Sequence, residues 1–310
     1  DNYGISTDHI PVASLMNSQM ARFLVSNGTV FQPFSDTPTV STFLESCTGV
    51  YTTTRTHNAG KSLLFWDRHL RRLNQSARIL FGSSDPQHIS SLVVKSFELI
   101  FPIALSDHRH HENKEEFAVT TVLTEEPEGL AAHVHLSSYF PSAFGVRGAH
   151  LAAVGAGRSL PQAKHTKWVK QRKPLENKRP QGATELLLSN DGDKLLEGAI
   201  TNFFVVASGS NGLHFEVFTA PISEGVLPGI IRQLVIEVCL SEGIPVREES
   251  PSWSNREHWV EAFITNSLRI MEHVETIKVP KDWDSFPEKD LSHISWEEKK
   301  FQVSGFQLFG

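Results

Sequence analysis

The sequence is poor in three features, each of which would point to a particular class of protein. It has two cysteines, Cys47 and Cys239, in 310 residues, which excludes a disulfide framework or a cysteine-rich zinc module and favours a reducing compartment. No apolar run reaches the roughly 18 residues of a membrane span. Acidic residues outnumber basic ones, 35 against 29. A polybasic surface is therefore excluded, and any anion-binding site must be local.

From these absences we expect a protein that binds neither nucleic acid nor membrane. No secretory signal pattern follows Asp1, so we expect a cytoplasmic location, or an organelle such as a plastid if a targeting segment has been removed. Hydrophobic residues make up 39% of the chain and charged residues 21%, which is typical of a globular protein. A chain of 310 residues is long enough to form two domains.

The first half is predicted to begin with a hairpin over residues 22–33, with Asn27-Gly28 as the turn. Asp67 is the predicted N-cap of a helix over 67–81, and its apolar stripe is predicted to be Leu70, Leu73, Ala77 and Leu80. The other predicted elements are a strand-turn-strand over 48–66, a helix over 88–101, a polar loop over 106–116, and strands over 117–124 and 132–138.

Proline and glycine in residues 139–148 predict a linker. It divides the chain into a smaller domain, 1–145, and a larger domain, 146–310, that carries most of the chemistry-bearing residues. The elements predicted for the second half are a strand over 149–155, a polar helical stretch over 164–179, strands within 183–206 and at 213–219, a helix from Gly229 to about 240, and strands over 261–266 and 273–279. This order is not a clean βαβ alternation, so we predict an α+β fold.

Two local features are suited to binding a phosphate. The first backbone N–H groups of a helix have no partner within it and lie at its positive end, so Gly229, Ile230 and Ile231 form a candidate cradle. Arg72, on a largely apolar helix, can bind a phosphate with two hydrogen bonds. The alternatives are a helix start that binds nothing and an arginine that is solvated like its neighbours Arg68 and Arg71.

A lysine and two acids in the second half are candidates for covalent cofactor chemistry. Glu197 lies in an apolar, strand-rich stretch, where an unpaired carboxylate is costly. Its partner is either a protonated pyridine nitrogen or a nearby Arg or Lys. Glu185 lies on the preceding strand. Lysines act as nucleophiles when burial or neighbouring cations lower their pKa, and Lys164 competes for this role with the lysines at positions 167, 170 and 173.

The chain resembles class IV aminotransferases, which include branched-chain aminotransferases, D-amino-acid transaminases and aminodeoxychorismate lyase. The resemblance is carried by KHTKW at 164–168, GATELLL at 182–188 and EGAITNFFV at 197–205. Lys164 precedes Glu197 by 33 residues and Glu185 by 21, as the family's Schiff-base lysine would. Other segments fall in family order: GVYTTTR at 49–55, HLRRL at 69–73, LPGIIRQ at 227–233 and FITNSL at 263–268.

The resemblance implies a fold-type IV enzyme with two domains, pyridoxal 5′-phosphate (PLP) at their interface, no metal, and a homodimeric assembly. It implies that Lys164 is the catalytic residue and carries PLP as a Schiff base, that Glu197 keeps the pyridine nitrogen protonated, and that Tyr51 and Arg55 line the substrate side. The other implied cofactor-binding residues are Arg72, Thr201, Asn202, Gly229, Ile230, Ile231 and Ser267.

The chain departs from the family pattern at three places. The usual acidic-arginine-glycine stretch is absent from residues 39–47, and isoleucine occupies position 231, where relatives have a phosphate-binding threonine. Residues 107–112 read DHRHHE, where relatives place substrate-recognising residues. Histidines and an acid in this run could bind a metal, but a solvated loop explains them more simply.

Three functions are consistent with this pattern. The first is a transaminase that moves an amino group between an amino acid and a 2-oxo acid. The second is a lyase similar to aminodeoxychorismate lyase, which releases pyruvate; YTTTR at 51–55 and ITNSL at 264–268 favour it. The third is a non-catalytic PLP-fold binding protein, which retention of Lys164, Glu197 and Arg72 disfavours.

Overall fold

The computed structural model describes most of the chain, in two sheets with the helices packed against them. The described residues are 21–32, 34–82, 85–108, 116–142, 145, 148–208, 214–284 and 294–302. The last strand of the first sheet ends at Tyr139 and the first strand of the second begins at Ala149. The predicted linker lies in the interval between these strands, and the division of the chain at residue 145 stays a prediction.

The N-terminal half forms a six-stranded antiparallel sheet in the order β2-β1-β6-β5-β3-β4. Its elements are β1 (Arg22–Ser26), β2 (Thr29–Val30), α1 (Val40–Ser46), β3 (Gly49–His57), β4 (Ser62–Leu63), α2 (Trp66–Phe81), α3 (Pro86–His108), β5 (Glu116–Glu126) and β6 (Gly129–Tyr139), with a short 3₁₀ helix at Phe34–Asp36. The predicted first hairpin is confirmed. Its turn residues Asn27 and Gly28 have φ of 46° and 75°, values that favour these residue types in a tight turn.

Helix α2 confirms the predicted helix but corrects its details. Its N-cap is Phe65, in the left-handed region and with no side-chain cap, so the prediction that Asp67 is the cap is wrong. Leu73 and Ala77 are buried, whereas Leu80 is 38% exposed. Leu80 is the penultimate residue of the helix, which ends at Phe81.

Helix α3 is longer than predicted and continues through residues 106–108, which were expected to begin a loop. Its stretch Pro86–Ser106 is long and apolar enough to span a membrane, with a mean hydropathy of 1.6. The expectation that no segment meets this criterion is therefore wrong. One face of the helix, including Ile89, Ile100 and Ala104, is nevertheless buried in the apolar core of the first half. Buried helices of globular proteins meet the same criterion of length and composition.

The C-terminal half forms a nine-stranded mixed sheet. Its elements are β7 (Ala149–Ala153), α4 (Lys167–Glu176), β8 (Glu185–Ser189), β9 (Leu195–Gly198), β10 (Asn202–Ser208), β11 (Phe215–Thr219), α5 (Ile230–Ser241), β12 (Val246–Glu248), β13 (Trp259–Asn266), β14 (Ile270–Pro280) and β15 (Trp296–Lys300), with 3₁₀ helices at Ile222–Glu224 and Trp253–His258. The strand order is β12-β11-β10-β13-β14-β7-β8-β9, with β15 beside β14.

A pairing of β9 with β10 closes part of this sheet on itself. Strand β10 already pairs with β13, and the extra pairing joins Glu197 to Asn202. The closed region is filled by a core that includes Leu187, Leu195, Phe203 and Ile264. The closure therefore fixes the buried acid predicted from the sequence next to an amide side chain.

The two sheets meet where β3 forms backbone hydrogen bonds with the segment around Lys164. The Tyr51 N–H donates to the Lys164 carbonyl over 2.9 Å, and the Thr166 N–H donates to the Gly49 carbonyl, also over 2.9 Å. The Ser76 hydroxyl of α2 accepts from the Lys164 N–H at 3.1 Å. The backbone of Lys164 is thus held by two elements of the N-terminal half.

Gly49 permits this junction because a side chain would not fit there. A Cβ at Gly49 would lie 2.0 Å from the backbone carbonyl oxygen of Leu123 on β5, a contact that only a backbone shift could relieve. We expect Gly49→Ala to lower the free energy of unfolding by about 1–3 kcal/mol, the usual cost of overpacking. Thr48→Ala, at the exposed neighbouring residue, should change it by less than about 0.5 kcal/mol. Urea denaturation tests both, and equal stabilities of the two variants would contradict this packing.

Candidate active site

A cavity of about 240 Å³ lies between the two halves of the protein. Both sheets and four helices contribute to its walls, so the fold brings together residues that are far apart in the sequence. It collects all of the predicted site residues except Arg55. These are Tyr51, Arg72, Lys164, Glu197, Thr201, Asn202, Gly229, Ile230, Ile231 and Ser267.

Lys164 reaches into this cavity from the segment just before α4. Its Nζ lies 4.6 Å from the centre of the Tyr51 ring. Burial lowers the pKa of the Lys164 amine to about 8, with the positive charges of Arg72, Arg158 and Arg172 acting in the same direction and Tyr51 opposing them. A lysine with such a pKa has a substantial neutral fraction near physiological pH, which makes its amine a competent nucleophile.

The same positive charges change the pKa of the Tyr51 phenol. Burial by itself would raise the pKa of its phenol, but Lys164, Arg172 and Arg158 outweigh burial and lower that pKa. The ring is 4% exposed and belongs to an apolar cluster with Leu44 of α1. Tyr51 therefore combines a fixed apolar ring with a hydroxyl in a positive field.

Arg72 is the buried cation on the α2 side of the cavity. One of its Nη atoms donates to the Thr52 hydroxyl over 3.0 Å, and the same hydroxyl lies 2.7 Å from His69 Nδ1. Burial lowers the pKa of Arg72 to about 10, so the guanidinium remains charged. Its Nε is buried without a hydrogen-bond partner among the described residues. The arginine is thus positioned but only partly satisfied, as an anion-binding group would be.

The start of α5 forms the neighbouring wall. Gly229 is the N-cap in extended conformation, and the first described intrahelical bond runs from the Gln233 N–H to the Gly229 carbonyl. The N–H groups of Ile230 and Ile231 precede that bond and lie at the positive helix end. A Cβ at Gly229 would be 1.9 Å from Asn202 Oδ1, so only glycine lets β10 approach the helix start this closely.

Glu197 is the buried acid of the cavity, and its two oxygens have different surroundings. Oε2 accepts hydrogen bonds from the Leu227 N–H and from Asn202 Nδ2, both over 3.1 Å. Oε1 forms a close charge pair with Arg158 Nε at 2.6 Å, which leaves a second lone pair on this oxygen. Burial raises the pKa of Glu197, and the charge of Arg158 opposes this shift. Oε1 can therefore still accept a hydrogen bond from a ligand.

Two candidate residues lie outside the cavity lining. Arg55 donates from Nε to the Leu268 carbonyl over 2.9 Å and so fixes the loop after β13. Glu185 accepts from the Leu186 N–H and pairs with Arg269 at 3.4 Å, while burial raises its pKa. The proposed substrate role of Arg55 receives no support from this placement, because its guanidinium is committed to backbone carbonyls.

Among the cavity-wall residues that were not predicted from the sequence are Arg158, Trp168 and Arg172. Arg158 follows the glycine-rich end of β7 and is 7% exposed. Its Cζ lies 4.8 Å above the ring of Trp168, whose indole N–H donates to the Ala199 carbonyl over 2.9 Å. The one signal in the sequence was the need of Glu197 for a cationic partner, but nothing in the spacing selected Arg158. Histidines 110 and 111 and Glu112 lie outside the described residues.

Comparison with known proteins identifies the family. The model of the family described as amino-transferase class IV matches residues 49–277. The chain belongs to the class IV aminotransferases. This assignment confirms the predicted α+β fold-type IV architecture and the prediction of a PLP-dependent aminotransferase-type enzyme. None of the curated proteins that were compared matches the chain.

Solved structures of this family share the fold at low sequence identity. A branched-chain aminotransferase from Thermoproteus uzoniensis is 22% identical with a TM-score of 0.59, over 83% of this chain and 87% of that one. A fold IV transaminase from Curtobacterium pusillum is 17% identical with a TM-score of 0.63, over 83% and 92%. A protein assigned as a 4-amino-4-deoxychorismate lyase from Legionella pneumophila is 20% identical with a TM-score of 0.55, over 74% and 82%.

The contact between Arg158 and Glu197 leads to a prediction for the protein without cofactor. Arg158→Met leaves a carboxylate buried without a cation, so we expect unfolding free energy to fall by about 3–5 kcal/mol. Adding Glu197→Gln to that variant removes the uncompensated charge and should restore part of the loss.

The matched control is the exposed pair of Arg68 and Glu237, whose atoms are 2.8 Å apart. Arg68→Met should leave stability almost unchanged, because solvent screens exposed charges. Urea denaturation at neutral pH measures the unmodified protein, Arg158→Met, Glu197→Gln, the double variant and Arg68→Met. Strictly additive effects of the Arg158 and Glu197 substitutions would contradict the pairing.

Proposed function

We propose that this class IV aminotransferase moves an amino group between an amino acid and a 2-oxo acid, with PLP bound in the cavity through Lys164. One observation carries the proposal. The amine of Lys164, with a pKa of about 8, shares one cavity with an anion-binding helix start and a buried acid. These are the three groups that PLP requires, namely a nucleophile for its aldehyde, a site for its phosphate and an acid for its pyridine nitrogen.

The unsatisfied atoms of the cavity fit this cofactor. Five buried polar atoms of the lining have no aligned hydrogen bond among the described residues: Arg72 Nε, Arg158 Nε, Thr201 Oγ1, Thr265 Oγ1 and Glu197 Oε1. The two hydroxyls and Arg72 Nε suit phosphate oxygens. Arg158 Nε and Glu197 Oε1 form a charge pair at 2.6 Å, and the second lone pair of that carboxylate oxygen suits a protonated ring nitrogen. Buried polar atoms without hydrogen bonds are costly, so a ligand that bonds to them is favoured in this cavity.

Each residue then has a defined task. Arg72 and the N–H groups of Ile230 and Ile231 would hold the phosphate through charge-assisted hydrogen bonds. Glu197 Oε1 would accept a hydrogen bond from the protonated ring nitrogen, while Asn202 and the Leu227 N–H fix the other oxygen of Glu197. When bound, PLP supplies an electron sink. The Lys164 amine lines the same cavity and would take the proton from the carbon that carries the substrate's amino group and return it.

The assembly and the location of the protein are proposals as well. We propose a homodimer and a cytoplasmic location, with an organelle as the alternative. The homodimer is supported by the resemblance to class IV aminotransferases. The location is supported by the low cysteine content, two residues in 310.

The first prediction from this function compares the loss of activity on substituting Lys164 with that on substituting the nearby Lys167. Lys164→Ala should abolish amino transfer between amino acids and 2-oxo acids, because no other described lysine lines the cavity. Lys167→Ala, three residues on at an exposed position, should retain the activity of the unmodified protein. A panel of amino acids and 2-oxo acids tests both variants, and turnover by the Lys164 variant at the unmodified rate would refute the assignment.

The second prediction concerns pH. Because the pKa of Lys164 is lowered from 10.5 to about 8, the neutral amine that attacks the PLP aldehyde becomes the main form above pH 8. The rate of PLP incorporation into the cofactor-free protein should therefore rise with pH and level off near pH 8. Stopped-flow absorbance measures this rate. A rate that continues to rise up to pH 10.5 would show an ordinary lysine instead.

A lyase that releases pyruvate is the second candidate. It is favoured by the YTTTR and ITNSL segments and by the likeness to the Legionella pneumophila protein assigned as an aminodeoxychorismate lyase. Lyase and transaminase would use the same lysine and acid, so the cavity described above does not separate them. The two functions are separated by measuring pyruvate release from aminodeoxychorismate and amino transfer on the same preparation. Pyruvate release without amino transfer would replace our proposal by the lyase.

A further inference from the structure

Helix α4 presents one basic residue to the cavity and directs the others outward. Trp168 and Arg172 are four residues apart, which places them on the same face of the helix, and both line the cavity. Lys167, Lys170 and Lys173 are exposed. The side chain of Arg172 is 14% exposed. The position of Arg172 in the cavity wall is therefore set by the register of α4.

The charges around the cavity leave Arg172 without a role in binding the cofactor. Arg72 lines the cavity together with the start of α5, where we propose the phosphate site, Arg158 neutralises Glu197 at 2.6 Å, and the Lys164 amine would be consumed by the link to PLP. Arg172 is the remaining cation in the described lining. Its Nε contacts Glu176 at 2.9 Å, and this contact orients the guanidinium while leaving both Nη atoms for a ligand.

The other arginine that could take a substrate anion is committed elsewhere. Arg55 donates to the backbone carbonyls of Leu268 and Thr56 and does not line the cavity. Arg172 in contrast faces the same space as Lys164 and Tyr51. It lies on the helix that follows Lys164, so its distance from the reacting amine is fixed by a short, ordered stretch of chain.

We propose that Arg172 binds the carboxylate of the substrate and makes the site selective for amino acids and 2-oxo acids over uncharged amines and ketones. This inference rests on the proposed function. Two Nη atoms of one guanidinium match the two oxygens of a carboxylate and form charge-assisted hydrogen bonds. The orientation supplied by Glu176 reduces the entropy lost on binding.

The test uses the PLP-loaded protein and two probes, a carboxylate that cannot react with the cofactor and an amine that can. 4-Methylpentanoate carries a carboxylate but no amine, and benzylamine carries an amine but no carboxylate. We expect Arg172→Met to weaken 4-methylpentanoate binding about 20-fold, the size expected for losing a hydrogen-bonded charge. Arg172→Lys should give a smaller loss, because the charge remains without the bidentate geometry. Benzylamine affinity should change by less than about twofold in both variants.

Lys170→Met is the matched control, since it removes a cation from the outward face of the same helix and should leave both affinities unchanged. Isothermal titration measures the carboxylate, and the change in cofactor absorbance measures benzylamine. Equal 4-methylpentanoate affinity of the Arg172→Met and unmodified proteins would overturn the assignment. So would a parallel loss of carboxylate and amine binding, which would indicate a structural role.

The visible absorbance of the protein distinguishes a failure of this inference from a failure of the proposed function. PLP-loaded protein that is coloured, and whose Arg172 variants bind the carboxylate normally, overturns only the carboxylate site. Protein that remains colourless after incubation with PLP overturns the proposed function and the carboxylate site together.

Discussion

The backbone of Lys164 is fixed between the two halves of the protein, and the rest of the site depends on this junction. The edge of β3 exchanges two hydrogen bonds with the segment around Lys164, and Ser76 of α2 binds its N–H. The bond from Gly49 N–H to the Thr166 hydroxyl, at 3.1 Å, adds a third link to β3. Because the lysine is held at its backbone, its side chain can remain free for chemistry while still pointing into the cavity.

Closure of the second sheet positions the buried acid of the site. The pairing of β9 with β10 places Glu197 opposite Asn202, and the Leu227 N–H completes the support of one carboxylate oxygen. Apolar burial drives the closure, and the buried acid is tolerated because Arg158 lies against it. The same burial lowers the pKa of the lysine and raises that of the acid. Burial causes both shifts, whereas the excess of cations in the cavity adds to the shift of the lysine and opposes that of the acid.

Local patterns predicted most elements of the fold because their signals lie within a few residues. The Asn27-Gly28 turn, the amphipathic α2 and the start of α5 are examples. Strands β12 and β15 escaped prediction because they are short or polar and are defined by their partners. The resemblance to class IV aminotransferases predicted Lys164 and Glu197 as site residues, and both line the cavity. Arg158 and Arg172 were not predicted, because their roles arise from the packing of β7 and α4 around the cavity.

The central claim is that one amine, Lys164, carries the cofactor, and covalent trapping tests it directly. Borohydride reduces the bond between PLP and a lysine to a stable amine that survives digestion. Peptide mass mapping of the reduced protein should find the label on Lys164 alone. A label on another lysine, such as the exposed Lys167, or no label on a protein shown to bind PLP, would contradict the account.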